Sequence, residues 1–86
     1  MLHPKHREDL EVNESVDGMV IYHPKKDTTH FLNHTAAAVF EFCNGNHSIA
    51  EIAVFLEKIF TLDDPPLKEV EEIIASFKNE ELLQSE

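Results

Sequence analysis

Six histidines, one cysteine and several adjacent acids are the side chains of this sequence that could do chemistry. Nucleophilic catalysis would pair Cys43 with a histidine base, because the thiolate is the attacking form. Cys43 instead falls on the apolar face of a helical segment with Phe40, the setting of a buried structural thiol. A metal centre would need ligands at matched spacing. His3 and His6 precede the first periodic segment, His23 and His30 fall on separate strand-like runs, and His34 and His47 stand near helix starts. No HxxxH pair lies within a helix and no second cysteine exists, so the spacing of structural zinc is missing. Glu71-Glu72 and Glu80-Glu81 read as solvated helix faces rather than as acid–base dyads. The expectation is a chain that is not an enzyme, with no catalytic residue, no metal and no cofactor.

The charge balance narrows the partners. Seventeen acidic against seven basic side chains give a net charge of −10. Nucleic-acid affinity rests largely on Lys and Arg displacing counterions, and here the basic residues are scattered, with Lys25-Lys26 the one adjacent pair among them. An acidic chain attracts basic peptides or the basic face of an enzyme. No long apolar run and no basic-then-apolar start are present, so neither a membrane span nor a signal peptide is expected. The single cysteine excludes an internal disulfide framework and fits a reducing cytoplasm.

Eighty-six residues make one small domain, expected over residues 9–84 behind a flexible tail at 1–8. Leu10 and Val12 alternate with Asp9, Glu11 and Asn13, which is strand periodicity. Asp17-Gly18 tolerates the positive φ of a tight hairpin turn. Met19-Val20-Ile21-Tyr22-His23 is rich in β-formers and ends at Pro24, and Thr28–Leu32 reads as a third short strand after a polar turn. From residue 33 the period turns helical. Asn33 is the expected N-cap of a first helix ended by Asn44-Gly45. Ser48-Ile49-Ala50-Glu51 is a capping box that opens a second. Asp63-Asp64-Pro65-Pro66 should start a third, acid-capped and proline-led, with Leu67, Val70, Ile73, Ile74 and Phe77 on its apolar stripe. Leu82-Leu83 should cover one end of the core. The order βββααα predicts an α+β domain.

The run Leu32-Asn33-His34-Thr35-Ala36-Ala37-Ala38-Val39-Phe40-Glu41-Phe42-Cys43-Asn44-Gly45, followed by Ser48-Ile49-Ala50-Glu51-Ile52, resembles the PqqD-like family. Members carry a Leu-Asn-x-Thr-Ala run, an aromatic four residues on, a glycine closing the helix, and then a Thr/Ser-hydrophobic-x-Glu-Ile segment. The likeness runs from Asp17-Gly18 to Leu83. His34 stands where a Glu is common, and the usual glycine before the last apolar pair is absent.

That resemblance implies a winged helix-turn-helix-like fold and the role of a RiPP recognition element, a peptide chaperone that binds the leader of a ribosomally made precursor. It implies a leader added as an antiparallel strand along Thr28, Thr29, His30, Phe31 and Leu32, with side chains beside the third helix at Leu67, Val70, Glu71, Ile74 and Lys78. The implied partners are the precursor peptide and a modifying enzyme, radical S-adenosylmethionine enzymes among them, with the chain a monomer or weak homodimer. The residues support that mode independently, because a three-stranded meander leaves edges that an extended peptide can complete. Alternation can send only one of Phe31 and Leu32 to each face. Two other readings compete. One is a scaffold or dimerisation domain with no affinity for an isolated leader. The other is a helix-turn-helix regulator, disfavoured because the helices Ala50–Phe55 and Lys68–Glu72 put carboxylates where phosphate contacts need Lys or Arg.

Overall fold

A computed structural model of the protein describes residues 3–84. Three strands, β1 (Glu11–Ser15), β2 (Gly18–His23) and β3 (Thr28–Leu32), precede three helices, α1 (His34–Phe42), α2 (Ile49–Ile59) and α3 (Leu67–Asn79). This is the βββααα order expected of an α+β domain. The strands form one antiparallel meander in the order β1-β2-β3, so β1 and β3 are its edges.

Alternation along β2 sends Met19, Ile21 and His23 into the core and leaves Val20 and Tyr22 half-buried on the outer face. The pairing of Met19 with Leu32, Ile21 with His30 and His23 with Thr28 puts Leu32, His30 and Thr28 on the inner face of β3. Phe31 therefore points outward and is 58% exposed, while Leu32 is buried. Ser15 pairs with Gly18, so Val16 and Asp17 are the turn and Gly18 opens β2. The glycine is needed for more than a turn. Its φ is +150°, and a Cβ there would lie 1.9 Å from the Leu32 carbonyl oxygen.

Local signals at two helix starts match their expectations. Asn33 Oδ1 accepts from the Ala36 amide at 2.9 Å, and Ser48 with Glu51 forms the reciprocal capping box. Glu51 is held below the usual carboxylate range, first by its hydrogen bond from the Ser48 amide. The third start differs. Pro66 is the N-cap of α3, no side chain caps it, and the acids at 63 and 64 stay outside, leaving Glu69 to offset the helix dipole.

The sheet's inner face and the three helices enclose one core, centred on Ile21, Val39, Ile52, Leu56 and Val70, with Leu82 and Leu83 buried over one end. The domain also takes in residues from the segment expected as a tail. His6 donates its amide to the Cys43 carbonyl (2.8 Å) and Gly45 donates to the Pro4 carbonyl (3.0 Å). On the other side Gln84 donates to Lys5 (2.8 Å) and Arg7 to the Leu82 carbonyl (2.9 Å). The His6 ring stacks on Phe40 with centroids 4.6 Å apart. Backbone groups at the end of α1, which a helix terminus leaves without intrahelical partners, find them in this extended segment. Residues 1 and 2 lie outside the described residues. No helix among the described residues is long and apolar enough to cross a membrane.

Candidate peptide-binding site

Among the described residues β3 hydrogen-bonds to β2 on one side and to no strand on the other. In an antiparallel ladder alternate residues direct their amide and carbonyl toward the open side, so an edge of five residues offers a short row of unmet donors and acceptors. Thr28 and His30, both half-buried, face the helices, while Thr29 and Phe31 stand on the exposed face. His30 is held at both ring nitrogens. Nδ1 lies 3.2 Å from Glu80 Oε2, and Nε2 lies 3.1 Å from Thr28 Oγ1.

Beyond the end of β3 the surface opens into a concavity of about 330 Å³. Asn33, Thr35 and Ala36 form one wall; Glu69, Glu72, Ile73 and Ser76 of α3 form the other. Successive helical residues are rotated by about 100°, so Glu69, Ile73 and Ser76 share a flank, and continuing it reaches Glu80 at the contact with His30. The α1 start and this flank of α3 wall the depression, and β3 leads into it through Asn33. Its α3 wall carries two carboxylates over one apolar side chain, and no Lys or Arg lines it.

The strand residues Thr28 to Leu32 thus lie together on an open edge, but the helix residues expected beside them do not. Val70 and Ile74 are 0% and 2% exposed and belong to the core. Leu67, Glu71 and Lys78 are exposed, but on the flank of α3 turned away from Glu69 and Ile73. The core stripe Val70-Ile74-Phe77 has two flanks, and the sequence offered one pointer between them. Ile73 widens the stripe toward the concavity, whereas Leu67 sits at the helix start where the stripe is frayed.

Two further chemistry-bearing side chains, Cys43 and His23, are held inside the fold. Cys43 is fully buried, and loss of water pushes its thiol up from 9.0 to about 12, which disfavours the nucleophilic thiolate. His23 is buried with Nε2 3.1 Å from the Glu81 carbonyl, an acceptor that requires the proton on Nε2. Its Nδ1 meets no partner. Glu81 also bonds Lys26 Nζ at 3.1 Å, and that ammonium holds the carboxyl below its usual range. These contacts fasten the end of α3 to the β2–β3 turn. Among the described residues no three His, Cys, Asp or Glu side chains converge in a metal-binding group.

Three solved structures have a similar shape. TbiB1 in complex with the TbiA(beta) leader peptide matches with a TM-score of 0.80 at 17% identity, covering 95% of this chain and 96% of that one. Lasso peptide synthetase B1 complexed with the leader peptide matches with 0.76 at 22% identity, covering 96% and 99%. The PqqD truncation of Methylobacterium extorquens PqqCD, described as a functional stand-alone RiPP recognition element, matches with 0.70 at 20% identity, covering 95% and 88%. At such identities the likeness establishes the fold. No curated protein matches the sequence significantly. The family model for coenzyme PQQ synthesis protein D matches residues 18–83, from the first residue of β2 to the buried Leu83, and the chain therefore belongs to the PqqD family.

Proposed function

We propose that this domain binds the leader of a ribosomally synthesised precursor peptide as a fourth strand on β3 and presents it to a separate modifying enzyme. The observation that carries the reading is the open β3 edge, followed directly in the chain by Asn33 in the wall of the concavity between α1 and α3. Main-chain bonds along Thr28–Leu32 supply affinity, and side chains entering between Asn33, Thr35 and Ile73 supply selectivity. Two of the similar structures are leader-peptide complexes, which supports the same use of this fold. Glu69, Glu72 and Glu80 favour a leader with Lys or Arg at the positions that cross α3.

The reading is of a binding domain rather than a catalyst. Its one thiol is buried, and the partner enzyme, of the radical S-adenosylmethionine class or another, performs the chemistry. A lone reduced cysteine fits work in the cytoplasm. DNA recognition is opposed by the exposed acids of α3, Glu69, Glu71 and Glu72.

Calorimetric titration with the leaders encoded beside this chain tests the proposal. The expected result is one-to-one binding with a negative ΔCp. Proline at Thr29 and at His30 then tests strand addition. Neighbouring amides point to opposite sides of the strand, so one variant should keep the fold and lose the leader while the other weakens the sheet. Unchanged leader affinity at both positions rejects strand addition.

A further inference from the structure

A second concavity, of about 280 Å³, lies on the other side of α1. Ala37, Ala38, Phe42, Met19 and Ile59 give it an apolar floor, and Glu14 and Glu41 stand among its lining residues. The helix divides the two depressions cleanly. Thr35 and Ala36 face the leader groove, whereas His34, Ala37, Ala38 and Glu41, spaced as one helical stripe, face the second, and no residue lines both.

Its surroundings are those of an unpartnered interface. Val16, at the tip of the β1–β2 turn between the lining residues Ser15 and Gly18, is 91% exposed. Ile59 is 55% exposed, and Phe60 and Leu62, which follow it, are 38% and 41% exposed. An apolar floor with exposed apolar residues beside its lining in the chain, at Val16 and at Phe60 and Leu62, is the composition of a contact surface. Among the described residues neither Glu14 nor Glu41 has a cation within ion-pair distance. The volume falls below the roughly 300–1,000 Å³ of small-molecule sites, and it suits side chains of another protein better than a cofactor.

We infer that this second groove is the docking site for the modifying enzyme, through a segment that inserts an aliphatic or aromatic side chain flanked by Lys or Arg. Charge complementarity selects that occupant. Glu14 and Glu41, without an ion-pair partner among the described residues, attract a basic rim, whereas a second copy of a chain of net charge −10 is repelled. Position supports it too. The groove adjoins the β1 side of the sheet and the leader occupies the β3 edge, so both are held at once with α1 as the shared wall. The choice of partner rests on the leader-binding reading; the existence of the docking surface does not.

The test titrates the full-length domain with the purified modifying enzyme encoded beside it, with and without leader. Ile59→Asp and Glu41→Lys should each weaken the enzyme complex by about tenfold or more, the loss typical of a central contact, and leave leader affinity unchanged. Val16→Lys, on a side chain in the solvent, should act in the same direction and puts no load on folding. Amide NMR spectra establish that each variant is folded. Enzyme affinity unchanged in all three overturns the inference. So does a wild-type dimer that these substitutions dissociate, which would make the occupant a second copy. A wild-type domain that binds enzyme through this surface but no leader would reject the leader reading and keep this one.

Discussion

His30, in the middle of the open strand, is tied to Glu80 at the end of α3 by a contact of 3.2 Å between Nδ1 and Oε2. The contact links β3 to the residue that follows α3, and Thr28 Oγ1 at 3.1 Å from Nε2 fixes the ring from the other side. The carboxylate is 43% exposed, so its removal should cost little stability, less than about 1 kcal/mol. Its effect on binding should be larger in proportion. Glu80→Ala frees His30 to take other rotamers in the bed of the groove, and about a threefold to fivefold weaker leader complex is expected from the lost preorganisation. Calorimetry with the cognate leader, alongside thermal unfolding, separates the two effects. A leader complex as tight as the wild type's would mean that the groove does not depend on this link.

The flank assignment of α3 makes a sharper prediction. Ile73→Asp puts a charge on the groove wall at a half-buried position, and it should weaken leader binding by about tenfold while the domain stays folded. Leu67→Asp, on the opposite flank and 44% exposed, should leave binding unchanged. Ile74→Asp belongs to a different class, because Ile74 is 2% exposed in the core and a buried carboxylate there should unfold the domain. Equal losses at residues 67 and 73 would remove the distinction between flanks.

What could be read in advance and what could not divide along the range of the interactions. The caps at Asn33 and Ser48 depend on atoms three residues away, and the alternation of Met19, Ile21 and His23 depends on the pleat, so local sequence carried both. The flank of α3 that lines the concavity depends on how α3 is rolled against α1 and α2, and the stripe Val70-Ile74-Phe77 is compatible with a groove on either side. The bonds of Pro4 to Arg7 join residues about 40 and 80 positions apart, where no periodicity exists to reveal them. Pro66 shows the opposite failure. Two acids and two prolines resemble a strong start signal, yet the helix begins after both prolines with no side-chain cap.

Gly18 should be the least replaceable residue of the sheet. Alanine would adopt φ near +150° only with strain, and its Cβ would meet the Leu32 carbonyl oxygen at 1.9 Å, backbone that cannot swing aside. Relieving that clash means separating β2 from the end of β3, next to Asn33 at the proposed leader site. Gly18→Ala should lower stability by more than about 1 kcal/mol, with about 4–8 °C lost from Tm for each kcal/mol in a domain of this size. A melting temperature equal to the wild type's would show that the strand ends are free to part.

Cys43 gives the pH prediction. Burial at the end of α1, beneath the backbone of His6, raises its thiol from 9.0 to about 12 because the thiolate would lose its hydration. A group whose pKa is raised by folding contributes its full stability below the unfolded value and loses it as pH climbs through the folded one. The wild type should therefore destabilise progressively between pH 9 and about 12 relative to Cys43→Ala, whose cavity cost is the same at every pH. The same burial should make the native thiol inert to iodoacetamide at pH 8, with labelling only as fast as the domain opens. Rapid labelling of the folded domain would place the thiol at the surface and reopen it as a nucleophile. A stability difference between wild type and Cys43→Ala that stays flat across this range would show that burial does not hold the thiol protonated.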